Sequence, residues 1–444
     1  ASVDPASSAL QIHCGSSTHF QRMAFDACSW LLFSAVLVNQ AGRVMIPAIK
    51  TSVLVDPDFA PAFEQNVGAM LSGVSLVCLG GKLLGAALTD KLGGWLVLIS
   101  VFVMWIIATV ASFATYDVQV FGGSWLLNSF AYTVTWGAAV QVIGSKYTEE
   151  KERDAQLVKV ASASRFGATF GNIIFGQLLS AGLHWRQALM PVVPVQAVLL
   201  VACFYYWSTS RTAAAPTKAK AKEPAAAGGP SALQAMLSLD FWLMLVPKAV
   251  LFTYTQFFMN YIPQLLNADY GFGHGAAATY GGVAQGGSVV GLLYVGNVLY
   301  KSRKNAGKLS IIRVCLLLCA IVPLILANGP LLKAKTGLDV VTPLVVPLTV
   351  LWGLAYALPF YIPPGAFAMT AGGKTAAALY TNLFDAAGFT VSAMWNPWAS
   401  ACAKRGDFAT VLYSQALFGL IALVCMPLCM ERTNKKVEAD KKKA

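Results

Sequence analysis

Apolar residues run along this chain in blocks of about 20, separated by short polar or glycine-rich stretches, with no two-residue alternation inside them. Such a block is the length of a helix crossing a bilayer, and a β-barrel would instead need alternating segments. The blocks predict helices at 25–49, 66–89, 95–115, 122–145, 157–181 and 187–207, and a second set at 239–266, 276–299, 309–328, 341–368, 375–400 and 408–430. The stretch between the sets contains Lys218, Lys220 and Lys222 among alanines, Pro216 and Gly228-Gly229-Pro230. That composition buries no core and reads as a flexible linker. The expected fold is therefore an all-α polytopic membrane protein of twelve transmembrane helices in two six-helix pseudo-symmetric halves. Its divisions are an N-terminal segment 1–24, a first bundle 25–207, a basic linker 208–238, a second bundle 239–430 and a basic tail 431–444. Residues 1–22 are polar and contain no signal-peptide pattern.

Composition agrees. The chain is 57% hydrophobic and 12% charged, with a mean hydropathy of +0.61, whereas a soluble domain carries about 25% charged residues. The net charge of +12 invites a nucleic-acid reading, but its distribution rejects one. Lys and Arg number 21 in the segments on the side of the two termini and six on the other. That asymmetry puts both termini on the cytoplasmic side, or its organellar equivalent. The nine cysteines are scattered without metal or disulfide spacing, and no nucleophile–base or nucleotide motif occurs. An enzyme is not expected, nor is a cofactor or metal.

Charges inside the apolar blocks carry the functional argument, because each costs at least ~2.5 kcal/mol at the bilayer centre. Arg313 lies near a helix end and can snorkel to the interface. Arg43, Lys82, Arg165, Lys248 and Asp385 remain, on the first, second, fifth, seventh and eleventh spans. Lys82, Arg165 and Lys248 each lie about eight residues from the terminal side, a depth of roughly 12 Å. Arg43 lies past the midplane. Four cations facing one anion around a shared cavity favour an anionic solute. Structural readings stand beside this one. Lys82 or Lys248 can pair with Asp385, Lys248 can satisfy carbonyls freed by Pro247, and Arg165 can bond a neighbouring helix. Softer candidates for solute contact are Asn39, Gln141, Tyr254 and Gln256. Trp352, Tyr356 and Tyr361 flank Pro359 and Pro363-Pro364-Gly365, which predicts a broken helix with Tyr356 at a gate. Asn382 and Asp385 form a polar notch with a coupling or gating role.

Between the second and third spans runs Gly85-Ala86-Ala87-Leu88-Thr89-Asp90-Lys91-Leu92-Gly93-Gly94. It resembles the G-x-x-x-D-(R/K)-x-G-(R/K) loop of the major facilitator superfamily, with Asp90, Lys91 and Gly93 matching and Ala86 in place of the first glycine. In that family a carboxylate here latches onto another helix end while one side is closed, which makes Asp90 and Lys91 gating candidates. The glycine-rich Arg165-Phe166-Gly167 to Gly176 and the pair Trp185-Arg186 also resemble the family's fifth and sixth helices. The corresponding second-half loop offers Gly296-Asn297-Val298-Leu299-Tyr300-Lys301, without an aspartate.

Within the superfamily, Gly81-Lys82-Leu83 and Asn382-Leu383-Phe384-Asp385-Ala386-Ala387-Gly388 resemble the organophosphate:phosphate antiporters, and Asn39-Gln40-Ala41-Gly42-Arg43 resembles the anion:cation symporters. The resemblance implies that Arg43 and Lys82 contact the anion. The helix-seven arginine of the antiporters would fall near Thr255, while Lys248 lies about two turns away. These readings converge on alternating-access transport of a small anion, a phosphate ester, phosphate or carboxylate, with a counter-anion or a proton as the coupled species. A proton-coupled carrier of a neutral sugar or drug, or a non-transporting receptor or subunit of the same fold, are the alternatives. The lipid bilayer is the expected surrounding, and no nucleic acid is.

Overall fold

The computed structural model describes residues 26–147, 149–213 and 236–443, so the N-terminal segment and most of the linker, with Lys218, Lys220 and Lys222, lie outside the described residues. The first half comprises α1 (Ala27–Val53), α2 (Ala60–Leu92), α3 (Gly94–Ala114), α4 (Val118–Lys146), α5 (Glu150–Ser180), the short α6 (Trp185–Leu189) and α7 (Val192–Ala213). The second comprises α8 (Leu239–Asn260), the short α9 (Ile262–Ala268), α10 (His274–Val290), α11 (Asn305–Thr336), α12 (Val345–Lys404) and α13 (Phe408–Lys443). A π-helix, Gly291–Tyr300, continues α10, and a 3₁₀ turn, Thr342–Leu344, precedes α12. Among the described residues there is no strand.

By length and hydropathy, nine helices among the described residues can cross a membrane. The remaining three crossings are α4, α5 and the second leg of α12. They are less apolar, and several of their polar side chains are satisfied within the protein. In α4, for example, Ser124, Ser129 and Thr135 donate to carbonyls one turn back.

The 60-residue α12 is not one rod. Phe367 and Phe384 have ring centroids 6.1 Å apart, whereas 17 residues of straight helix span about 25 Å. The chain therefore reverses between them, and α12 supplies two antiparallel crossings. The break expected at the tenth span is not found there. Pro359, Pro363 and Pro364 all lie within continuous helix, because each removes a single helical bond without ending the ladder. Other boundaries also differ from those the hydropathy implies. Lys50, counted as a loop residue, lies inside α1 and is buried. The tail continues α13 as helix, and Arg432 and Lys436 pair there with Asp240 at the start of α8. Arg313 pairs with Glu431.

Two glycine positions shape the layout. Gly93 has φ +83°, which lets α2 turn directly into α3. Gly176 of α5 and Gly275 of α10 face one another. A Cβ on Gly176 would lie 2.5 Å from Thr279 N, and one on Gly275 would lie 2.5 Å from Ser180 N. Only bare backbone allows the two halves this approach. A second contact joins α2 to the second leg of α12, where Ser72 Oγ donates to Ala393 O at 2.8 Å. Asn396 Nδ2 there reaches Leu71 O and Ser75 Oγ, each at 3.2 Å.

Away from the termini, loops are tied by Trp185 Nε1 donating to Asp56 at 2.7 Å and by Arg186 donating to Phe113 O at 3.1 Å and to Thr115 O. The Trp-Arg pair is thus a structural clamp. Burial raises the Asp56 carboxyl, but the Trp185 indole, two backbone N–H groups and His184 outweigh it and hold it below the usual carboxylate range.

Candidate substrate cavity

A cavity of about 330 Å³ lies between the halves. Its walls come from α1, α2, α4 and α5 on one side and from α8, α10 and both legs of α12 on the other. The halves are closed against each other on the side away from the termini. There Lys50 Nζ of α1 donates to Asn260 O at the end of α8 (3.2 Å) and sits 4.5 Å over the Tyr261 ring. Tyr261 in turn bonds Asn396 O and Ser400 Oγ of α12, at 3.1 and 2.9 Å.

All five charges singled out in the sequence line this cavity. Arg43 is 7% exposed, and its guanidinium carbon stacks 4.0 Å over the Tyr132 ring. Asn128 Nδ2 of α4 holds the adjacent Gly42 O at 3.2 Å, which fixes this turn of α1. Arg165 of α5 crosses to the other half and lies 4.3 Å over the Tyr361 ring. Among the described residues, neither arginine has a carboxylate partner. The lysines differ. Asp385 bridges Lys82 of the first half (3.4 Å) and Lys248 of the second (3.7 Å). Lys248 Nζ also donates to Phe360 O at 3.2 Å and sits 3.2 Å over the Phe360 ring. The carbonyl freed by a proline that Lys248 satisfies is thus in α12, not beside Pro247. Pro364, four residues on, has no N–H to give to Phe360 O.

Helix periodicity decides which neutral candidates reach the cavity. On α8 the lining positions are Lys248, Phe252, Thr255, Phe258 and Met259, one stripe at helical spacings of three and four. Tyr254 and Gln256 flank that stripe and are corrections to the expected site. Tyr254 donates to Cys319 O (3.1 Å) and Gln415 O (2.6 Å), between α11 and α13, and Gln256 accepts from Asn260 Nδ2 at 3.1 Å. Thr255 between them does face the cavity, so this turn of α8 presents a hydroxyl there. On α1 the stripe is Val36, Asn39, Gln40 and Arg43. Asn39 Nδ2 bonds Thr135 Oγ1, and its Oδ1 is left without a partner. Gln141 does not line the cavity and packs where α3 begins, beside Gly94.

Of the gating candidates, Asp385 and Tyr356 line the cavity, and the Tyr356 ring meets Phe258 at 5.0 Å. Asn382 is exposed and off the lining stripe of α12, which runs Thr381, Phe384, Asp385 and Phe389. Asp90 and Lys91 are exposed at the end of α2 and form no ion pair among the described residues. The expected latch is therefore not engaged here. Reasoning from charge alone missed Tyr132, Ser164, Gln285 and Ser288. Extending each charged position by three and four residues would have reached Gln40 and Phe252.

The comparisons with known proteins agree with this architecture. The profile of the Major Facilitator Superfamily matches residues 31–397. No curated protein shows a significant sequence match to the chain. Among solved structures, the nucleoside transporter NupG is similar with a TM-score of 0.69 and 15% identity, over 91% of this chain and 100% of that one. A D-xylose-proton symporter is similar with a TM-score of 0.65 and 13% identity, over 90% and 96%. At those identities the likeness is one of fold. With the family profile spanning most of its length, the chain belongs to the major facilitator superfamily and is a multi-pass membrane transporter rather than an enzyme.

Proposed function

We propose that the chain is a secondary active transporter of a small organic anion, carried by alternating access between its two halves. The observation that carries this reading is the pair Arg43 and Arg165. Both line the cavity, both lie on tyrosine faces, and neither has a carboxylate partner among the described residues. The one carboxylate in the lining, Asp385, is already shared by two lysines. A site with four cations and one anion attracts a negative solute strongly in a low dielectric, and the guanidinium forks suit carboxylate or phosphate.

The bridge at Asp385 supplies a mechanism. An entering anion competes with Asp385 for Lys82 and Lys248, which loosens the link between the halves. Without a bound anion the cavity retains an excess of positive charge, so returning empty is costly and exchange of one anion for another is favoured. The cavity lies on the side of the termini, which the basic residues assign to the cytoplasm or its organellar equivalent.

The second reading, a proton-coupled carrier of a neutral solute, draws on the two structural relatives, whose names refer to nucleosides and to D-xylose with protons. It requires the arginines to be structural. Thermal unfolding of the purified protein separates the readings. Stabilisation by carboxylates or phosphate esters, and not by sugars or nucleosides, supports the anion carrier, and the reverse pattern supports the neutral one.

A further inference from the structure

The cavity wall is divided chemically along the line where the halves meet. The first half contributes three of the four cations, Arg43, Lys82 and Arg165, with a polar set that includes Asn39, Gln40 and Ser164. The second half contributes seven of the nine aromatic lining residues beside the polar Thr255, Gln285, Ser288 and Thr381, and its single cation, Lys248, is held by Asp385 and by Phe360 O. The second-half rings form a continuous surface. Phe252 meets Phe389 at 4.6 Å and Phe360 at 5.7 Å, and Phe360 meets Tyr361 at 4.6 Å and Tyr356 at 6.2 Å.

Such a wall selects against solutes that are polar all round. Phenylalanine rings offer no hydrogen-bond partner, so the hydroxyls of a sugar phosphate turned toward them would lose their water without replacement. Inorganic phosphate would leave the aromatic wall unused. A planar ring, by contrast, extends the tilted and edge-to-face array already present, at the same centroid spacings. Resting on the anion reading above, we propose that the solute is an aromatic organic anion. Its carboxylate or other anionic head lies toward Arg43 and Arg165, and its ring lies against the second-half wall of Tyr356, Phe360, Tyr361 and Phe389.

The test uses the full chain in proteoliposomes, with uptake of labelled phenylacetate and phenylpyruvate set against malate, glucose 6-phosphate and inorganic phosphate. The expected result is a KM for the aromatic acids at least about tenfold below that of any aliphatic anion. Phe389→Leu should reduce the preference for phenylacetate over malate about tenfold, and Phe389→Trp should retain it. Thermal unfolding of each variant checks that it is folded. Equal or better uptake of malate or a phosphate overturns this inference and leaves the anion carrier standing. A preference for aromatic acids that survives Phe389→Leu in a folded protein overturns the assigned wall. No uptake of any of these anions by folded wild-type protein overturns both.

Discussion

Lys248 Nζ donates to the carbonyl of Phe360, the carbonyl that Pro364 leaves without a helical partner. A buried lysine of one helix thus completes the backbone ladder of another and offers its remaining charge to Asp385. Lys248→Met should therefore lower thermal stability, since it strands a buried carbonyl. Pro364→Ala restores the missing N–H, so Lys248→Met should cost roughly 1 kcal/mol less in the Pro364→Ala background. The check is a double-mutant cycle of thermal unfolding in detergent. Additive effects would show that the lysine does not act on this carbonyl.

The bridge at Asp385 leads to a second expectation. Asp385→Asn leaves Lys82 and Lys248 without their counter-charge, and Lys248 is buried. Stability should fall, and a bound anion should recover more of it than in wild type, because it supplies the missing charge. Comparing ligand-induced shifts in unfolding temperature tests this. Equal shifts in the two proteins would mean that solute and Asp385 do not share the lysines.

Lys50 is 2% exposed, yet its ammonium caps the end of α8 in the other half through Asn260 O. A cation at a helix C-terminus and over an aromatic face is well placed, and here it joins the halves on the side away from the termini. Lys50→Met should weaken that closure. A cysteine introduced at Thr51, itself buried, should then react about tenfold faster with an impermeant thiol reagent from that side. Unchanged labelling would assign Lys50 to local packing.

Much of this molecule was legible in the chain. Nine crossings stand out by length and hydropathy, as a bilayer demands, and the other three were read from weaker apolar blocks. The reversal inside α12 was legible too, since the tenth span was expected to end at 368 and the eleventh to begin at 375, between the facing Phe367 and Phe384, although helical hydrogen bonding runs on through the turn. The charges Arg43, Lys82, Arg165, Lys248 and Asp385 announced the cavity because desolvation makes each of them costly anywhere else. Tyr254 and Gln256 can hydrogen-bond but lie to either side of the lining Thr255, because each step along a helix turns the side chain by about 100°. The aromatic wall was silent in the sequence. A phenylalanine facing a cavity and one facing lipid have the same composition, and only the packing of α8 against α12 separates them.

Outside the membrane, Asp269 closes α9 on the side away from the termini. Burial, and then the neighbouring Asp407 carboxylate, push its pKa up to about 6. An acid raised in the folded state binds more protons folded than unfolded. Its penalty is absent below the unfolded value near 4, grows as pH rises toward 6 and is full above it. Asp269→Asn should therefore stabilise the protein at pH 7.5 by roughly 1–3 kcal/mol and have little effect at pH 4. Unfolding temperatures across that range decide it, and a pH-independent difference would contradict the assignment.

The central claim is that the unpaired guanidinium of Arg43 binds a transported anion. The most direct measurement is uptake of labelled organic anions into proteoliposomes, with and without anion inside, for wild type and Arg43→Ala side by side. The account predicts uptake that depends on internal anion and falls at least ~100-fold in Arg43→Ala, while the variant unfolds near the wild-type temperature. Anion uptake that persists in Arg43→Ala, or its absence from folded wild-type protein under every gradient, would contradict it.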